Sequence, residues 1–117
     1  MKFIDTRIHG YLDYMMGVLF LLVPSIFRLN GNGTESLVFY LLAIFTFFFS
    51  LLTDYELGLY RVLPMRLHLS IDVLLGFLLA FSPWMFGFFH ITFIPHLVLG
   101  IIAIAAGTLT RSEVSRV

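Results

Sequence analysis

The chain has 117 residues, of which 60% are hydrophobic and 12% charged, with a mean hydropathy of +1.00. A soluble domain carries about 25% charged residues, so this chain lacks the polar cover that a water-exposed surface needs and reads as a membrane protein. Seven basic against seven acidic residues argue against a nucleic-acid partner, and the absence of cysteine excludes disulfides, thiolate chemistry, iron–sulfur clusters and covalent haem attachment.

Met1 to Arg7 is a short polar lead in which Asp5 or Thr6 is placed to cap a helix by accepting its orphan N–H groups. Ile8 to Phe27 follows as an apolar run, long enough at 1.5 Å per residue to cross a hydrocarbon core of ~30 Å. No small-residue cleavage pattern follows it and Arg28 ends it directly, so it reads as a permanent helix rather than a signal peptide. Asn30-Gly31-Asn32-Gly33 is a turn, and Asn32 with Glu35 has the form of a capping box for the next helix. The same residues supply a glycosylation sequon, Asn32-Gly33-Thr34, which the capping role already explains.

Ser36 to Thr53 is the second span. Ala43, Thr46, Ser50 and Asp54 fall on one of its faces, as small and hydroxyl side chains do where another membrane helix packs. The connection from Asp54 to Met65 is polar, with Tyr55 and Tyr60 expected at the membrane–water boundary and Pro64 breaking the helix. Leu67 to Phe88 is the third span, with Trp84 as an interfacial anchor, and Phe93 to Thr110 the fourth, opened by Pro95. Gly100, Ala103 and Gly107 form a small-residue seam along it. Lys2, Arg7, Arg61, Arg66, Arg111 and Arg116 gather on one side of the membrane against Arg28 alone on the other, so both termini are expected in the cytoplasm.

The second half repeats the first. Arg66, His68, Asp72, Gly76 and Pro83 stand 59 positions after Arg7, His9, Asp13, Gly17 and Pro24 (66−7, 68−9, 72−13, 76−17, 83−24). A fixed offset of this kind marks an internal repeat. Repeat 1 covers about 7–53 and repeat 2 about 66–110, inside a single membrane domain, 1–117. The expected fold is all-α: a four-transmembrane-helix bundle of two tandem helical hairpins, related by a pseudo-two-fold axis along the membrane normal. Gly17 and Gly76 are expected to let the first and third helices approach each other.

Ser82-Pro83-Trp84, set within this repeat, resembles the motif of the SPW repeat family of small bacterial integral membrane proteins. The resemblance covers both halves; in the first, Val23-Pro24-Ser25 keeps only the proline. It implies a bacterial inner-membrane protein with four helices and brings no established activity or catalytic residues.

His9 and Asp13 are one turn apart on one helix face, and His68 and Asp72 repeat them. A buried aspartate there costs of order 2–3 kcal/mol unless paired, which directs this face inward and brings two imidazoles and two carboxylates together near the cytoplasmic surface. Two readings stand. In one, His9, Asp13, His68 and Asp72 hold a small ligand, a proton or a metal. In the other, they set helix register in a scaffold or assembly protein. The set permits a divalent metal or a bis-His haem and demands neither. Asp54 and Glu113 also align at an offset of 59 (113−54), but the Glu-x-x-His spacing of carboxylate-bridged di-metal bundles is missing. The small-residue seams of the second and fourth spans align better at an offset of 57, which pairs Ala43 with Gly100, Thr46 with Ala103, Ser50 with Gly107 and Thr53 with Thr110 (100−43, 103−46, 107−50, 110−53). His90 and His96 are expected at the outer interface. No phosphate loop, H-E-x-x-H or G-x-S-x-G is present, so the reading leans away from an enzyme. The expected partners are the lipid bilayer and a second copy or another membrane protein.

Overall fold

The computed structural model describes residues 2–114; Arg116 and Val117, which enter the charge count and the topology of the C-terminus, lie outside the described residues. The fold is all-helical: α1 (Thr6–Ile26), α2 (Thr34–Leu52), α3 (Met65–Met85) and α4 (Ile94–Leu109). The first three are long and apolar enough to cross a membrane. α4 is shorter than expected. Its 16 residues rise about 24 Å, because Pro95 opens it late and the backbone is already extended at Thr110.

The helix ends explain these limits. Asp5 caps α1, its carboxylate accepting from the Ile8 N–H at 2.8 Å. α2 begins instead at Gly33, with no side-chain cap. Asn32 does not form the expected box, because the Asn30 side chain accepts from the Asn32 N–H and the Asn30 carbonyl accepts from Ser36. Glu35 is buried. Pro24 and Pro83 sit near the helix ends, where few backbone bonds remain to be lost.

α1 packs along α2 and α3 along α4, with less contact between the two hairpins. In lipid, apolar burial alone does not drive helices together, so close backbone approach matters. A Cβ on Gly100 would lie 2.5 Å from the Ala80 nitrogen and 2.7 Å from the Gly76 carbonyl oxygen. Gly76 and Gly100 thus let α3 and α4 meet backbone to backbone. Gly17 faces Phe47 of α2. The repeated glycines therefore serve packing inside each hairpin and not an approach of α1 to α3, since Phe47 and Ile104 fill the space they leave.

Two seals join the hairpins. Toward the Arg28 end, Phe20, Val23, Phe39, Leu42, Ala43, Leu79 and Phe88 form an apolar core. At the end holding the N-terminal lead, short extended segments tie each helix start to a helix end. Ile4 bonds the Leu109 carbonyl and the Arg111 N–H, at 3.1 and 2.8 Å. Leu63 bonds the Leu52 carbonyl and the Asp54 N–H, both at 2.8 Å. These two ties leave Thr110 and Thr53 at the ends of α4 and α2, both fully buried.

Candidate functional site

α1 and α3 each bring a histidine and, one turn deeper, an aspartate to the interface between the hairpins. His9 is fully buried and His68 nearly so, while Asp13 and Asp72 keep a small exposed edge. One ligand atom from each of the four lies within 4.8 Å of the other three. The imidazoles meet edge to face, centroids 5.6 Å apart.

The pairing crosses between hairpins. His9 Nε2 lies 2.7 Å from Asp72 Oδ2, and His68 Nε2 2.5 Å from Asp13 Oδ2. Each histidine's own aspartate stands back at 3.2 Å. The i,i+4 spacing places an aspartate on the right face, and the shorter bond goes to the partner helix.

The other ring nitrogens fix the tautomers. His9 Nδ1 is 2.8 Å from Thr110 Oγ1, and His68 Nδ1 is 2.6 Å from Thr53 Oγ1. Each threonine hydroxyl donates its single proton back along its helix, Thr110 to the Ala106 carbonyl and Thr53 to the Phe49 carbonyl. The threonine oxygen must then accept, so both Nδ1 atoms carry protons. Both Nε2 atoms face carboxylate oxygens, and a proton must lie in each contact to make it attractive. Ser50 adds a donor to Asp13 at 3.3 Å.

A polar lid closes the site toward the loop that joins α2 to α3. Thr6 donates to Glu56 at 2.6 Å, and Tyr55 is fully buried with its ring 5.9 Å from that of His68. Tyr60 is exposed, as an interfacial tyrosine should be, but Tyr55 is not. The chain folds back after Thr53 and drives Tyr55 into the space that Gly10 leaves, where a Cβ would meet the Tyr55 ring at 2.6 Å. Burial pushes the Tyr55 hydroxyl's pKa well above its usual 10.0. That hydroxyl has no hydrogen-bond partner among the described residues.

Against known proteins, a model of the SPW repeat domain matches residues 7–110. The chain belongs to the SPW repeat family. Comparison with curated proteins and with solved structures gives no match.

In this SPW protein, Thr53 and Thr110, which sequence reasoning missed, join the four residues; their pairing at the 57-residue offset of the second and fourth helices is the signal that could have found them. Asp54 and Glu113 lie instead in a shallow cleft with Pro64, Met65 and Arg66. His96 faces neither water nor lipid. It is fully buried between Phe39 and Phe88, ring centroids 4.3 and 4.8 Å away, and donates from Nε2 to the Glu35 carbonyl at 2.9 Å. His90 is exposed.

The donor set fits a small cation. Four ligands at 2.0–2.2 Å from a tetrahedral ion stand about 3.3 Å apart, so the two shortest contacts would open by less than about 1 Å. Metal-bound histidines usually donate their second N–H to an oxygen, and the two threonines already accept it. A haem does not fit, because the imidazoles are in contact with each other's aspartate and leave no room for a macrocycle between them.

Proposed function

We propose that this SPW protein is a membrane-embedded cation-binding protein. Its cluster of His9, Asp13, His68 and Asp72 holds protons in the form described here and takes one divalent transition metal in their place. The observation that carries this reading is the pair of threonine bonds. They turn both Nε2 atoms and both carboxylates toward one point, and two neutral imidazoles with two carboxylates compensate a double positive charge. Nitrogen and carboxylate donors suit Zn²⁺, Mn²⁺ or Fe²⁺ over Mg²⁺ or Ca²⁺, which prefer oxygen alone. Metal analysis of protein purified without chelator tests it: about one equivalent, lost in His9→Gln/His68→Gln, supports the site.

A second reading is favoured by the short cross-hairpin bonds. A buried polar set whose ring nitrogens all have partners can act as a register lock between hairpins that otherwise touch sparingly. The two readings share one architecture, two hairpins related by a pseudo-two-fold axis along the membrane normal. Lys2, Arg7, Arg61, Arg66 and Arg111 against Arg28 support an orientation with both termini in the cytoplasm, and the resemblance to the SPW family supports a bacterial inner membrane. A reporter at Asn32 reading outside, with one in the Asp54–Arg66 loop reading inside, supports this orientation; the reverse pattern inverts it.

A further inference from the structure

The cluster lies near one end of the bundle, yet its open edge faces the other way. Toward the near end it is roofed by Thr6, Thr53, Tyr55 and Thr110, all at most 1% exposed. The carboxylates of Asp13 and Asp72 instead border a cavity of about 80 Å³ deeper between the hairpins, whose remaining wall is almost wholly apolar. The core around Phe39 and Leu79 closes the far end. α1 and α4 do not pack closely. Their facing residues Leu12 and Met16, and Ile102 and Ala103, line the cavity, and Ile102 is 47% exposed to the lipid side.

We propose that this cavity is a hydrated pocket, open to the bilayer between α1 and α4, that brings small uncharged hydrogen-bond donors, water first among them, to the two carboxylates. The acceptor is Asp72 Oδ1. Both short His–Asp contacts use Oδ2 atoms, and Asp72 Oδ1 meets no protein donor among the described residues. A carboxylate oxygen left without a donor in an apolar wall is costly, and a polar spot with room for more than one water is where buried water collects. The enclosed volume is too small for a molecule of benzene's size, which fills a cavity of about 150 Å³, so a larger reagent meets the pocket only at its mouth between α1 and α4, beside Ala103. An ion would have to cross hydrocarbon to enter by this gap, so the pocket admits uncharged molecules only, and a cation reaches the cluster from the opposite end, past the Thr6–Glu56 contact. This extends the cation-site reading by naming what reaches the carboxylates. Its test reads access alone, so a cluster that binds no metal leaves it standing.

The native chain has no cysteine, so single introduced thiols can be read without background. Ala103→Cys places a thiol on the cavity wall, and Ile101→Cys places one at nearly the same depth on a residue 54% exposed toward lipid. Methanethiosulfonates react with the thiolate, which forms only where water reaches the sulfur. In proteoliposomes, uncharged methyl methanethiosulfonate should label Ala103→Cys at least about tenfold faster than Ile101→Cys. A permanently charged methanethiosulfonate, present on both sides, should label neither. Labelling of Ala103→Cys by the charged reagent would overturn the bilayer route by showing an aqueous one. Equal labelling of the two positions by the uncharged reagent, or none at either, would overturn the hydrated pocket. Ala106→Cys, on the same wall, repeats the measurement should Ala103→Cys fail to insert.

Discussion

His9 Nε2 lies 2.7 Å from Asp72 Oδ2 on α3 and 3.2 Å from Asp13 Oδ1 on its own helix. The shorter bond therefore joins the two hairpins, and His68 with Asp13 makes the same choice in the opposite direction. Together with the threonine bonds, the Ile4 backbone ties and the His96–Glu35 bond, they set the relative depth of the two hairpins as well as their separation.

That preference is measurable. Breaking a buried pair leaves its partner uncompensated, so Asp72→Asn should cost about 3 kcal/mol in reversible unfolding from detergent. In double-mutant cycles with His9→Gln, the coupling to Asp72→Asn should exceed that to Asp13→Asn. Equal couplings would mean that the two carboxylates act as one shared charge.

Thr53 and Thr110 should matter beyond their size. Thr110→Val keeps the shape and removes the acceptor of the His9 Nδ1–H, leaving a buried donor unpaired at a cost of about 1–3 kcal/mol. Thr53→Val should do the same to His68. Serine at either position retains the oxygen and should restore most of the loss in the same melting assay.

The backbone contact of α3 with α4 gives a third expectation. Gly100→Ala places a methyl against the Ala80 nitrogen and the Gly76 carbonyl, atoms that cannot move without parting the helices. A loss of about 1–3 kcal/mol is expected, as for other overpacked contacts. Gly31→Ala, with open space around it, should leave the melting temperature nearly unchanged. By the same logic Gly76→Leu should cost more than Phe77→Leu, because Phe77 is half exposed toward lipid and Gly76 is buried.

Much of this was legible in the sequence, and for identifiable reasons. Apolar run length gave the helices to within a few residues, and the cost of burying Asp13 and Asp72 in lipid gave the face that turns inward. The 59-residue offset marked the cluster itself. Three features were not legible because they depend on how separate segments meet. The exchange of aspartates between hairpins follows from a lateral distance that helical spacing does not encode. Tyr55 looked like an interfacial ring, since nothing local shows that the chain folds back over Gly10. His96 likewise followed a proline at a helix start, and only the Phe39 and Phe88 rings make that place an interior one.

Tyr55 should weaken the fold at alkaline pH. Its hydroxyl is buried, and its pKa in the folded protein lies above the unfolded value of 10.0. Below about pH 10 both states keep the proton and the group contributes no pH dependence. As pH rises past that value the unfolded chain releases the proton and the folded one does not, so stability falls. Tyr55→Phe removes this component and keeps the ring. Melting temperatures between about pH 9 and 11 should decline less steeply for Tyr55→Phe than for the parent chain.

The last expectation separates the two readings of the cluster. Glutamine at positions 9 and 68 stays polar, but one amide cannot bond the threonine oxygen above and the carboxylate across as an imidazole does through Nδ1 and Nε2. Both readings therefore expect His9→Gln/His68→Gln to melt earlier than the parent. They differ in what metal does. A ligand that binds only the folded state adds RT ln(1 + [L]/Kd), about 2.7 kcal/mol at a hundred times Kd. If the cluster is a cation site, Zn²⁺ in the micromolar range should raise the melting temperature of the parent chain, EDTA should reverse the rise, and the double variant should show neither. If the cluster is a register lock alone, Zn²⁺ leaves the parent unmoved and the double variant differs only by its lower baseline. A rise that persists undiminished in the double variant would place the metal elsewhere and remove the cation site from these four residues.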